Sequence, residues 1–288
     1  FDIIHCHYGF NGTLGVYLKD LGLCDKVITA FHGYDISGFI AKYGKGVYKD
    51  LFAKGDLFLP VSEYWKRRLI ELGCNKDRII VHHMGVDLGR FKYGEKKIKE
   101  AEEIKILTIG RLIEKKGIAC AVKAIAKLAS AHENLRYIIA GEGPDRHKIE
   151  ALVASLNMNE KIELKGRADR DEVLKLYQQA HIFLLPSITS QDGEQEGVPV
   201  VLMEAQACGL AVISTQHSGI PEVVIDGKTG FLVPEKDVEA LTEKTGYLIE
   251  HPAVWQEMGK AGRAFIEKNF NIKLLNEQLI RIYQNCLT

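Results

Sequence analysis

Residues 181–205 read HIFLLPSITSQDGEQEGVPVVLMEA. The apolar run 181–186 has the composition of a buried strand, and Pro186 closes it. A polar, glycine-containing loop follows, and a helical composition begins near Gly197. Strand, loop and helix in that order form the repeating unit of a parallel sheet, because parallel neighbours require a crossover connection. The same pattern recurs on both sides. Short β-branched runs predict strands at 1–5, 26–31, 57–61 and 78–82, then at 104–109, 135–140, 161–164, 181–186, 211–215 and 230–233. Helical patterns follow most of them. Ser62 is a cap for a helix that Gly73 ends. Gly117 opens a helix toward Ala131, Pro144 one toward Leu156, and Asn271 caps a last helix over 272–284. The fold class is α/β, with Rossmann-like parallel sheets and right-handed crossovers.

The alternation breaks at 91–103, FKYGEKKIKEAEE, which is charged and lacks apolar periodicity. It reads as a linker. The expected organisation is a first domain over 1–92, a linker over 93–103, a second domain over 104–267, and a C-terminal helix over 268–288 that crosses back to the first domain. The first domain is expected to be N-terminally truncated, because Phe1 reads as the middle of a buried strand.

At about 100–200 residues per domain, 288 residues suit two domains. Hydrophobic residues make up 46% and charged residues 26%, which excludes a disordered chain. Lys+Arg and Asp+Glu are both 38, so net charge gives no case for nucleic acid. No apolar run reaches the roughly 20 residues that a membrane span needs. The cysteines Cys6, Cys24, Cys74, Cys120, Cys208 and Cys286 form no CxxC pair, so a reducing, cytoplasmic compartment is expected. His5 and His7 share one strand face, but two histidines without a third ligand make a poor metal site.

Loops at the carboxyl ends of parallel strands bind ligands in such folds. After the 181–186 strand, Glu196 and Glu204 are eight residues apart, which would place both on one helix face. Carboxylates there suit sugar or ribose hydroxyls, and a solvated helix with two exposed acids competes with that reading. After the 104–109 strand, Gly110, Arg111 and Lys116 stand where two cations could clamp a diphosphate at a helix start, against a merely solvated basic loop. The run Gly141-Glu142-Gly143-Pro144 starts like a dinucleotide fingerprint, but Arg146 occupies the sixth position, so a tight turn is preferred. Asp169 and Asp171 look like a metal-binding DxD, but their place before a helix favours capping. His32 ends the 26–31 strand beside Gly33, where a ligand could approach closely. A hydrogen-bonded loop histidine, fixing the loop to Asp35, is the alternative. His82 and His83 close another predicted strand, and the sequence does not choose between them as site residues.

Together these residues resemble the large retaining glycosyltransferase family often called group 4. Glu196 to Glu204 matches its E-x7-E motif. Gly110, Arg111, Leu112, Lys116 and Gly117 match its donor loop, and Gly141 to Pro144 its GxGP turn. Gly85, Val86 and Asp87 match another family run, with Met84 in place of the usual Asn. The wording FHGYDIS and DGEQEGVPVVLMEA is most similar to enzymes of colanic-acid and related exopolysaccharide assembly. The resemblance implies the GT-B architecture, two Rossmann-like domains facing across a cleft, the first lacking its opening strand and Gly-rich loop here.

It also implies a metal-independent hexosyltransferase without cofactor, whose substrate is a nucleotide-diphosphate sugar. Arg111 and Lys116 would neutralise the leaving diphosphate. Glu204 would hold the ribose, Glu196 the sugar hydroxyls, and the backbone of Gly197 and Val198 would cover the phosphates. Arg167, in the segment 165–167, would meet the base, and Gly141 would line the donor site. His32 and Glu196 are the expected catalytic residues. The partners would be the nucleotide sugar and a lipid-linked or oligosaccharide acceptor, with a peripheral contact at the inner membrane face and no nucleic acid. A nucleotide-sugar epimerase of the same fold and a non-catalytic binding fragment are the competing readings. A nicotinamide enzyme is the weakest, because Arg146 breaks the fingerprint.

Overall fold

The computed structural model describes residues 1–98 and 102–287. In chain order the elements are β1 (Ile3–His7), α1 (Gly9–Asp20), β2 (Lys26–Phe31), α2 (Gly38–Tyr43), α3 (Lys49–Lys54), β3 (Leu57–Pro60) and α4 (Glu63–Glu71). Then come β4 (Ile104–Ile109), α5 (Ile118–Leu128), β5 (Leu135–Ala140), α6 (Arg146–Ser155), β6 (Ile162–Gly166), α7 (Arg170–Gln179), β7 (Ile182–Leu185), α8 (Val200–Ala207), β8 (Ala211–Thr215), β9 (Gly230–Val233), α9 (Val238–Glu250), α10 (Ala253–Asn269) and α11 (Ile272–Leu287).

The chain forms two compact units. The first joins Phe1–Gly85 to Thr189–Val198 and to the chain from Phe270 onward, and the second comprises Val86–Ile188 and Pro199–Asn269. In the first unit β1, β2 and β3 form a parallel sheet in that order, with Ile3 opposite Lys26 and Ile28 opposite Leu57. Ile28, Ala30 and Leu59 make a small core on which Leu279, Ile282 and Tyr283 of α11 pack. That contact explains why the terminal helix belongs to this unit. A contiguous 104–267 body does not describe the contacts, because 189–198 leaves it.

The second unit holds a six-stranded parallel sheet of order β6-β5-β4-β7-β8-β9. Strand order reverses between β4 and β7, so the loops after them diverge, which makes a crevice at the carboxyl edge. Its core includes Ile106, Val122, Leu135, Tyr137, Ile182 and Ile213. Fully burying such side chains is worth about 1.5–3 kcal/mol each. Asp169 caps α7 through a capping box with Glu172, so these acids hold a helix start.

Four sequence expectations are corrected. The predicted 78–82 strand is a short helical turn at Lys76–Arg78, followed by a single bridge from Ile79 to Phe58. The Asn75 side chain accepts from Asp77 N and turns the chain there. The helix expected from Pro144 begins at Arg146. The helix expected near Gly197 begins at Val200, because Pro199 follows Val198 and disfavours a helical conformation in it. Glu196 therefore precedes the helix and belongs to the first unit, while Glu204 lies on α8 of the second. In the charged stretch 91–103, Phe91 and Lys96 are buried. Residues 99–101 of that stretch lie outside the described residues. Among the described residues no helix is long and apolar enough to cross a membrane.

Candidate active site

At the carboxyl edge of the second unit, three strand ends lie side by side. Gly110 N donates to Ala140 O at 3.0 Å and Gly141 N to Gly166 O at 2.8 Å. Leu112 N donates to Glu142 O at 2.9 Å, and Leu112 O accepts from Asp145 N at 3.0 Å. This stacking requires a glycine at 141. Its φ is +153°, and a Cβ there would sit 1.8 Å from Gly110 O. Gly141 thus serves the packing of two loops, as the tight-turn reading expects.

Gly110, Arg111, Gly141, Glu142 and Arg167 line a cavity of about 420 Å³ at this edge. Lys116 lies against it, since a Cβ on Gly110 would come within 3.4 Å of Lys116 Cε. Glu142, the carboxylate of the lining, is paired with Arg146 at 2.5 Å, and Arg146 also holds Glu150 at 2.8 Å. Among the described residues no carboxylate pairs with Arg111 or Arg167. The cavity therefore presents the Arg111 and Arg167 guanidinium groups without a paired carboxylate, and this suits an anion such as a diphosphate.

Glu204 projects from α8, half-buried, and the Tyr177 hydroxyl donates to its Oε2 at 2.9 Å. Burial pushes the Glu204 carboxyl upward, and the Tyr177 bond and the Arg90 charge pull it partly back. Tyr177 is itself fully buried. Its helix is fastened at this same C-terminal end by Lys96, whose Nζ donates to Tyr177 O at 2.7 Å and to Gln178 O at 2.9 Å. Burial lowers the Lys96 ammonium to about 8. Lys96 thus caps the open carbonyls of α7.

His32, Glu196, Gly197 and Val198 come together in the first unit. A Cβ on Gly33, where φ is +114°, would lie 2.6 Å from Gly197 N, and a Cβ on Gly197 would lie 1.9 Å from His32 O. Gly33 therefore admits the Gly197 backbone. The 189–198 loop is fixed further by Trp65 Nε1 donating to Gly197 O at 3.2 Å and by Gln195 N donating to Ser37 Oγ at 3.2 Å. Glu196 is buried.

The His32 loop is organised by Asp35, but not through the histidine ring. Asp35 Oδ1 accepts from His32 N at 2.9 Å and from Gly33 N at 3.0 Å, and its Oδ2 accepts from Gly9 N at 2.9 Å. Burial raises the Asp35 carboxyl to about 6 despite these donors. The His32 ring instead meets His7, with Nε2 of one and Nδ1 of the other 2.9 Å apart, and His7 stacks on His5 with ring centroids at 4.8 Å. Burial first, and then the neighbouring His7, lower His32 to about 4, so its imidazole is neutral near pH 7. His82 and His83 are bound to the backbone carbonyls of Leu275 and Val61, each at 3.0 Å. Among the described residues no group of three His, Cys, Asp or Glu side chains could hold a metal ion.

Sequence reasoning missed Tyr177 as the partner of Glu204 and His7 as the partner of the His32 ring. The apolar face of α7 hides a tyrosine whose hydroxyl finds a distant carboxylate, and no local spacing signals that. The Gly33-x-Asp35 pattern did carry a signal, because an aspartate two residues on accepts loop N–H groups.

Residues 90–265 match the family model described as glycosyl transferases group 1, and residues 1–90 match the one described as glycosyltransferase family 4. The chain belongs to this family of glycosyltransferases. It is 38% identical over 287 residues to the putative colanic acid biosynthesis glycosyltransferase WcaL of Salmonella typhimurium, covering 98% of this chain and 70% of that protein. It is 36% identical over 287 residues to the amylovoran biosynthesis glycosyltransferase AmsK of Erwinia amylovora, with the same coverage of 98% and 70%. A glycosyltransferase structure from Rickettsia africae superposes with a TM-score of 0.83 at 23% identity, covering 100% of this chain and 77% of that one. Anabaena HepE, solved with UDP and glucose, gives 0.84 at 16% identity, covering 99% and 78%. The fold is GT-B.

Proposed function

We propose that this protein is a retaining, metal-independent glycosyltransferase. In this reading it moves a sugar from a nucleotide-diphosphate donor to a lipid-linked or oligosaccharide acceptor in exopolysaccharide synthesis, in the cytoplasm and peripherally at the inner membrane face. The observation that carries the donor assignment is the cavity lined by Gly110, Arg111, Gly141 and Arg167, with Lys116 beside it and its one acid neutralised by Arg146. The exopolysaccharide assignment rests on the similarity to WcaL and AmsK.

In this reading Arg111 and Lys116 stabilise the charge that grows on the leaving diphosphate, which is where preorganised cations contribute most. Arg167 meets the base, and Glu204, aimed by Tyr177, accepts the ribose hydroxyls. The backbone of Gly197 and Val198 covers the phosphate end, and Glu196 holds the sugar hydroxyls. His32, neutral, orients the acceptor hydroxyl. The bond from the anomeric carbon to the phosphate oxygen breaks, the acceptor oxygen bonds on the same face, and its proton passes to the departing phosphate. No cofactor takes part.

The test is product analysis with an isotopically labelled nucleotide sugar and acceptor. Transfer that requires the acceptor and keeps the anomeric configuration is the expected result. An inverted product, or an epimerised donor formed without acceptor, would overturn the reading.

A further inference from the structure

A second cavity, of about 580 Å³, lies wholly within the first unit, between α2, α4 and the 189–198 loop. Its apolar floor includes the buried residues Ile36 and Ile40. The Tyr64 ring lines a wall, its hydroxyl donating to Gln195 Oε1 at 3.1 Å. Ser37 and Thr189 add hydroxyl groups beside the Gln195 amide.

Helical spacing explains the charged side. Positions 64, 67, 68 and 71 fall on one face of α4 and turn Tyr64, Arg67, Arg68 and Glu71 toward the same space. Lys45 comes from the chain just after α2. Arg68 is paired with Glu71 at 2.8 Å, which neutralises both. Among the described residues no carboxylate pairs with Lys45 or Arg67. The cavity thus combines an apolar floor, an aromatic wall, hydroxyl and amide groups, and two uncompensated cations. Its volume lies in the range of small-ligand sites, about 300–1,000 Å³.

We propose that this cavity is a subsite for an acidic sugar of the acceptor, whose carboxylate or phosphate lies on Lys45 and Arg67. Its assignment to the acceptor rests on the glycosyltransferase reading above, whereas the binding itself does not. Arg67 supplies planar, paired donors for an oxyanion and Lys45 a point charge. The Ser37 hydroxyl donates to Gly33 O at 2.7 Å and Gln195 Nε2 to Thr189 Oγ1 at 3.3 Å, so these groups hold the shape of the cavity, and the Tyr64 ring covers an apolar sugar face.

The test uses saturation-transfer NMR titrations of the 288-residue chain with methyl glucuronide, glucose 6-phosphate, methyl glucoside and inorganic phosphate, and the nucleoside diphosphate is titrated on the same samples. One of the two acidic sugars should bind at least tenfold more tightly than methyl glucoside, and which one identifies the carboxylate or the phosphate. Arg67→Gln should weaken that ligand five- to tenfold while leaving methyl glucoside binding, nucleoside diphosphate binding and Tm unchanged. Lys45→Gln serves as the second variant. Equal binding of acidic and neutral sugars would overturn the proposal, as would insensitivity to both variants or inorganic phosphate binding as tightly as the sugars. Loss of nucleoside diphosphate binding alone would reject the donor assignment and leave this one standing.

Discussion

The Tyr177 hydroxyl donates to Glu204 Oε2 across 2.9 Å, joining a fully buried phenol to the carboxylate of α8. Tyr177→Phe removes that donor and leaves Glu204 free to turn. If Glu204 accepts ribose hydroxyls, the variant should bind nucleoside diphosphate three- to tenfold more weakly and bind pyrophosphate unchanged. The loss of one buried hydrogen bond should lower stability by about 1 kcal/mol. Calorimetric titration of both ligands checks the first part, and equal losses for both would refute it.

Arg111 has its own signature. A charge-assisted hydrogen bond is worth about 1.5–3 kcal/mol, so Arg111→Ala should weaken nucleoside diphosphate binding tenfold or more while sparing the nucleoside. Comparable losses for the two ligands would show that Arg111 acts on the fold and not on the diphosphate.

Gly33→Ala should be far more damaging than its size suggests. The new methyl would meet the Gly197 backbone at 2.6 Å in a conformation with positive φ, so the 189–198 loop must move. We expect a loss of about 3 kcal/mol. Gly22→Ala is the control: its φ is also positive, at +73°, but nothing lies within 4 Å, so only the backbone cost of about 1 kcal/mol applies. Similar urea midpoints for the two variants would contradict the close approach.

Acid stability should carry the imprint of His5 and His32. Burial is the largest cause lowering both to about 4 from 6.5, so the unfolded chain binds their protons more tightly. Their contribution is present above pH 6.5 and is lost as pH falls toward 4. Asp35 acts in the opposite sense: burial raises it to about 6 from 3.8, so its contribution is present below 3.8 and is lost as pH rises through 6. Two histidines outweigh one aspartate, and the protein should lose stability on acidification from pH 6 to 4.5. His32→Gln should flatten that slope by roughly one proton, about 1.4 kcal/mol per pH unit. Parallel slopes in urea unfolding series would refute the assignment.

Much of this architecture could be read from local chemistry. The strands at 26–31, 104–109, 135–140, 211–215 and 230–233 fall where predicted, because short, mostly apolar runs leave a buried parallel strand little freedom. Gly110, Arg111, Gly141 and Arg167 line one cavity because each stands within two residues of a strand end. What failed depended on distant contacts. Lys96 stands in a charged stretch, and nothing nearby shows that it caps the end of α7. Glu196 was placed on a helix because eight-residue spacing outweighed the veto that Pro199 imposes on Val198. The link between the His32 loop and Asp35 is made by the His32 and Gly33 N–H groups, and the pairing of the His32 ring with His7 has no local signal.

The 189–198 loop also constrains how such a chain can be recombined. The two matched family regions meet at residue 90, which suggests a natural crossover point for hybrids with a relative. A hybrid joined there would set a foreign decapeptide against the native Gly33 and Trp65, and a foreign terminal helix against the native β2. A transplant that keeps the first unit whole must carry three separate pieces of chain: 1–85, 189–198 and the stretch from 270 onward. Descendants of a single exchange at residue 90 would therefore be expected to acquire compensating changes first around Gly197, far from the splice itself.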